Sequence, residues 1–209
     1  MTGEPPRAES AGARIAPEDR ARAELYAVLG RLLSAAPDAP ILAALGASDT
    51  WPEDEASPLA AAWNRLVAAS REMDAEAAEQ EYTDLFVGVG KAECNLHASY
   101  WKPDSSPRPL VAVRDELAAL GLGRRADAAV YEDHLGALCE TMRMLVAGTD
   151  ERPPAPLVVQ KRFFERFLED WAVECCNAIA QSPVANYYVR VAEFSGLYLA
   201  LERDSFAMD

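Results

Sequence analysis

The sequence predicts an all-α fold, a single helical-bundle domain of seven to eight or more helices. Three observations carry this. Apolar residues recur at helical spacing through most of the chain, helix start and stop signals bracket those stretches, and neither sustained alternation nor a hairpin signal occurs.

The elements follow in order. The first sixteen residues, rich in Thr, Gly, Glu, Pro, Ser and Ala, cannot bury much surface and read as a disordered leader, 1–16, ahead of a domain spanning 17–209. Pro17 with Glu18 and Asp19 suits a helix start, because proline fits the first turn and carboxylates favour the positive end of the helix dipole. Leu25, Leu29, Leu32 and Leu33 continue that helix, and Pro37 and Pro40 end it. Ile41, Leu42 and Leu45 make a short second helix closed by Gly46. Ser57 and Pro58 cap and open a third, with Leu59, Trp63, Leu66 and Val67 on one face. Asp74 opens a fourth, polar at first and apolar at Tyr82, Leu85 and Phe86. Gly88 stops it, and a long loop, 88–108, follows with Leu96, Tyr100 and Trp101; its aromatic content argues for function rather than disorder.

Leu110, Val113, Leu117 and Leu120 form the next helix, ended by Gly121. A charged link leads to Leu135, Leu138, Met142 and Leu145. Gly148 and the prolines at 153, 154 and 156 make a break over 148–156. Beyond it, one long helix is predicted to carry Phe163, Phe167, Trp171, Cys175 and Ile179, and another Tyr187, Val191, Phe194, Tyr198 and Leu201.

Composition narrows the function. Half of the 209 residues are hydrophobic, enough for a sizeable core. No apolar run reaches the roughly 18 residues of a membrane span, and the start lacks the apolar segment of a secretory signal, which points to the cytoplasm and away from stable membrane insertion. Twenty Lys and Arg against 34 Asp and Glu leave a net charge of −14, which repels nucleic acid and suits a basic partner. Cys94, Cys139, Cys175 and Cys176 form no C-x-x-C pair, so no disulfide framework is indicated. Cys94 and His97 have a metal-compatible spacing but no second pair to complete a site, so neither metal nor cofactor is expected.

No phosphate-binding loop, dinucleotide fingerprint or nucleophile elbow occurs, and no catalytic residue is assigned. Asp133-His134 is the most reactive-looking dipeptide, read either as a capping Asp beside a partly buried His or as part of a site. Tyr82, Leu85 and Phe86, at i, i+3 and i+4 on a helix that runs into the aromatic loop, suit either core packing or an apolar peptide groove. Glu81, Asp84, Glu93, Glu132 and Asp133 would give that groove an acidic rim. Such a groove matches a peptide with basic residues followed by an apolar stretch, the composition of a bacterial export signal.

Two segments then resemble a known family. Glu81-Tyr82-Thr83-Asp84-Leu85-Phe86-Val87-Gly88 resembles the Leu-Phe-x-Gly motif of the TorD/DmsD/NarJ redox-enzyme chaperones, and Glu132-Asp133-His134-Leu135 their Glu-Pro-x-Asp-His motif. Between them, Ser99-Tyr100-Trp101 is similar to the family's Ser-x-Tyr loop, and the likeness extends over about residues 20 to 208. Val130 and Tyr131 stand where the family motif has Glu-Pro, and residues 91–97 replace its Pro-rich run.

The resemblance implies a TorD-like helical domain, not an enzyme, that binds the twin-arginine signal peptide and catalytic subunit of a molybdenum-containing oxidoreductase. By overall pattern the resemblance implies that the client would be a formate dehydrogenase-like or related enzyme. The chaperone would hold it in the cytoplasm until the molybdopterin cofactor is inserted, as a monomer or homodimer. The residues implied to bind peptide are Tyr82, Asp84, Leu85, Phe86, Gly88, Ser99, Tyr100, Trp101, Glu132, Asp133 and His134. The alternatives are an enzyme using Asp133 and His134, a small-ligand or nucleotide-binding helical regulator, and a helical scaffold.

Overall fold

The computed structural model describes residues 15–52, 57–88 and 90–208. Nearly all of the predicted leader lies outside them. The described residues hold ten α-helices and one π-helical turn: α1 (Pro17–Ser34), α2 (Ala39–Gly46), α3 (Pro58–Glu72), α4 (Ala75–Tyr82) running into the turn Thr83–Val87, α5 (Ala98–Trp101), α6 (Pro109–Ala119), α7 (Leu135–Ala147), α8 (Leu157–Phe167), α9 (Ala172–Gln181) and α10 (Tyr187–Met208). No strand occurs among them, only two isolated bridges. The all-helical fold is therefore as the sequence reads.

The boundaries follow the expected chemistry. Ser57 caps α3 through the Ala60 N–H, and Asp74 caps α4 through the Glu76 and Ala77 N–H groups. Gly88, Gly121 and Gly148 take left-handed φ values of 62°, 63° and 75° at helix ends. The stripe on α10 is buried from Tyr187 to Tyr198, but Leu201 is 53% exposed and Glu202 takes the inward place beyond it.

The long helix predicted through Phe163 and Ile179 is instead two, α8 and α9. In a continuous helix the Phe167 carbonyl would accept the main-chain N–H of residue 171. Here the Trp171 indole N–H takes that carbonyl at 2.7 Å, and the backbone turns over residues 168–171. No Gly or Pro marks the break, so periodicity alone runs through it.

α10 packs on α9 and α3 and touches α1, α4 and α8, while α1 lies along α7. Two glycines bring α1 and α7 together: a Cβ on Gly136 would sit 3.0 Å from the Gly30 carbonyl oxygen and would collide with Ser34 Oγ. Larger residues there would push the helices apart, so this approach sets the end of α1 against the start of α7. A buried clasp joins α1 to α10. Arg22 makes two bonds to the Glu202 carboxylate, at 2.9 and 2.8 Å, and Tyr26 Oη donates to it at 3.0 Å.

Candidate functional site

The π-helical turn is the first local departure that matters. It inserts an extra residue after α4 and re-aims Phe86 and Val87, and such turns are frequent at functional sites. Gly88 ends it with an N–H bond to the Thr83 carbonyl at 2.7 Å, and a Cβ there would run into the Lys91 carbonyl. Within the turn Leu85 points the other way and is fully buried. Tyr82 and Phe86 are half-buried and meet edge to face, with ring centroids 5.1 Å apart; Phe86 meets Tyr188 in the same way.

The second half of the site is built on Asp133. The loop before α5 and the segment before α7 run antiparallel: the Ala98 N–H donates to the Asp133 carbonyl and the Leu135 N–H to the Leu96 carbonyl, at 2.9 and 2.7 Å. His97 and His134 are thereby paired, their rings 4.9 Å apart at 77°. The Asp133 carboxylate accepts the Ser99 N–H at 3.1 Å, the Ser99 hydroxyl at 2.6 Å and His97 Nδ1 at 3.1 Å. Burial works to raise its pKa, but these bonds outweigh it and hold the group at about 2.

His134, not Asp133, caps α7. Its Nδ1 accepts the Gly136 N–H at 3.1 Å. Burial, with the neighbouring His97 adding to it, pushes the His134 pKa down to about 3, so the ring is neutral at physiological pH. The expectation of a capping Asp is corrected accordingly: Asp133 is 2% exposed and clasps the α5 loop. Ser99 donates its hydroxyl proton to the carboxylate, so Ser99, Asp133 and His97 form a hydrogen-bonded clasp.

A cleft of about 440 Å³ lies between these halves. Ala35 and Ala36 after α1, Tyr82, Phe86 and Val87, and Val130, Tyr131, His97 and His134 wall it. Its lining is mainly apolar with a few polar groups, as in most ligand sites. Three of the predicted residues, Tyr82, Phe86 and His134, are brought together there. Leu85 belongs to the core. Tyr100 and Trp101 do not line the cleft: Tyr100 is exposed, while the Trp101 indole donates to the Asn95 carbonyl at 2.8 Å and stacks on Trp171.

The predicted acidic rim is also corrected. Glu81 is buried and accepts the N–H groups of Asn186, Tyr187 and Tyr188, capping α10. Glu132 makes a two-pronged pair with Arg114, and Asp133 is occupied as above. Asp84 and Glu93 stay exposed, Asp84 accepting a bond from Gln80. His97 and Tyr131 were absent from the predicted site. Their signal was the departure from the family motifs at 91–97 and 130–131, which falls on the cleft wall.

Among the described residues no three His, Cys, Asp or Glu converge as metal ligands, and no helix is long and apolar enough to cross a membrane. The model of the family described as nitrate reductase delta subunit matches residues 52–177, a span that includes both the π-helical turn and the Asp133 clasp. No curated protein matches the chain.

Proposed function

The chain belongs to the nitrate reductase delta subunit family, the NarJ/TorD-type chaperones of molybdoenzyme maturation, and from that premise we propose that its cleft binds the twin-arginine signal peptide of a molybdenum-containing oxidoreductase. The catalytic subunit would be held in the cytoplasm, its signal hidden from the translocase, until the cofactor is in place. The observation that supports this is the aromatic cleft itself. Tyr82, Phe86 and Tyr131 surround a space of about 440 Å³ at a junction of helix ends, suited to the apolar stretch of such a peptide. With Glu81, Glu132 and Asp133 engaged elsewhere, attraction of the arginines falls to Asp84, Glu93 and the net charge of −14. Affinity is moderate, because a flexible peptide loses conformational entropy on ordering.

Calorimetry of the full chain with a synthetic leader, two arginines followed by an apolar run of Leu and Ala, tests the proposal. Saturable binding that is lost in a Phe86→Ala, Tyr131→Ala double variant is the expected result. No binding to the leader, or equal binding by the double variant, would sink it.

A further inference from the structure

We propose that Arg124 is a positioning residue of the cleft: its guanidinium fixes Val130 and Tyr131 in the places where they wall it. This role rests on the cleft being a peptide site and adds how the site is prepared for its ligand. Residues 120–134 join α6 to α7 with no helix among them. Such a connection is more mobile than the elements it joins, yet Ala129, Val130 and Tyr131 from it form one wall of the cleft. Tyr131 is 55% exposed, so burial alone does not hold its ring in one rotamer.

Arg124 supplies what burial does not. Its Nε–H donates to the Val130 carbonyl at 3.0 Å, and its Nη2 donates to the Ala128 carbonyl. The guanidinium carbon lies 5.6 Å from the centre of the Tyr131 ring, within cation–π range. The same ring meets His97 at 6.2 Å and 55°. One residue along, the Glu132 pair with Arg114 fastens the loop to α6. Arg124 thus grips both the main chain and the aromatic side chain of the wall, without itself lining the cleft. A wall set before the ligand arrives loses less freedom when it binds. A lysine would keep the charge but not the rigid fork that reaches two carbonyls. Charge and position also predict opposite signs. As a charge alone, Arg124 repels a leader with two arginines, and its loss would tighten binding. As a positioning residue, its loss weakens binding.

Calorimetry of the full chain with the synthetic leader, two arginines followed by Leu and Ala, decides between them. Arg124→Ala and Arg124→Lys are both expected to weaken binding about three- to tenfold, with the melting temperature retained. In a Tyr131→Ala background, which keeps Phe86 in the cleft, the same changes should alter affinity by less than about twofold. A general loss of structure would not depend on the Tyr131 ring in this way. A second measurement needs no leader. Fluorotyrosine incorporated throughout gives Tyr131 a fluorine resonance, identified by its absence from Tyr131→Ala, and Arg124→Ala should shift it in the free protein. Unchanged or tighter leader binding by Arg124→Ala overturns the inference and leaves the cleft as a peptide site. So does an effect of equal size with and without the Tyr131 ring, or a Tyr131 resonance that Arg124→Ala does not move. A leader that fails to bind the unaltered protein removes the peptide reading and this role with it.

Discussion

Glu81 Oε1 accepts the main-chain N–H of Tyr188 at 2.8 Å, so the residue directly before cleft-lining Tyr82 is the cap of the longest helix. The same carboxylate takes two further N–H groups, those of Asn186 and Tyr187. A charge at this place reads from sequence as a rim acid and works in the fold as a rivet between α4 and α10.

The two roles predict opposite outcomes. As a cap, Glu81→Ala should cost about 2 kcal/mol of stability in urea denaturation, and Glu81→Gln less, since one oxygen remains. A rim acid would leave stability unchanged and weaken leader binding in a salt-dependent way.

Neighbours in the π-helical turn should separate in the same manner. Phe86→Ala should abolish leader binding and cost less than the roughly 3–5 kcal/mol of a fully buried Phe→Ala, because Phe86 is half-buried. Leu85→Ala, at a fully buried site, should cost about 2–5 kcal/mol. Parallel measurement of unfolding midpoints and calorimetric affinity checks the pair.

Asp133→Asn should loosen the α5 loop. The carboxylate accepts three bonds, and an amide keeps at most two of them, so a stability loss of about 1.5–3 kcal/mol is expected. His134→Asn should cost less, since the helix cap is preserved. Equal, negligible losses for both variants would contradict the clasp.

Acid should unfold the protein earlier than its acidic composition alone suggests. His134 is held at about 3 in the fold against an ordinary value of 6.5, so between these pH values the unfolded chain takes up a proton that the fold refuses. Stability therefore falls as pH drops below about 6.5, by roughly 3 kcal/mol at pH 4 from this group. Asp133, held at about 2 against about 3.9, contributes above pH 3.9 and loses that contribution as pH falls toward 2. Urea midpoints from pH 7 to 4 should show the slope, and His134→Asn should flatten it.

Much of the architecture was legible because caps and stops are local chemistry. Ser57, Asp74 and Gly88 do in the fold what their types and positions imply. The break between α8 and α9 was not legible, since it depends on an indole reaching a carbonyl four residues back. The site divided along the same line. Tyr82, Phe86 and His134 converge as their motifs suggest, whereas the partners of Glu81 lie more than 100 residues away, at |i−j| of 105 to 107. Which carboxylates are free for a ligand is a tertiary fact. His97 was hidden for a related reason: its spacing to Cys94 leads to no complete metal site, and only the antiparallel pairing with residue 134 gives it its neighbour.

The Arg22–Glu202 clasp spans 180 positions of the chain. During synthesis the guanidinium leaves the ribosome long before the carboxylate exists, and closing so long a loop carries an entropic cost that later contacts must offset. The clasp therefore forms after the helices between its partners: α1 gains the Glu202 carboxylate only once translation has passed residue 202. A protein proposed to keep its client waiting would have its own α1 and α10 fastened to each other only after everything between them has been made.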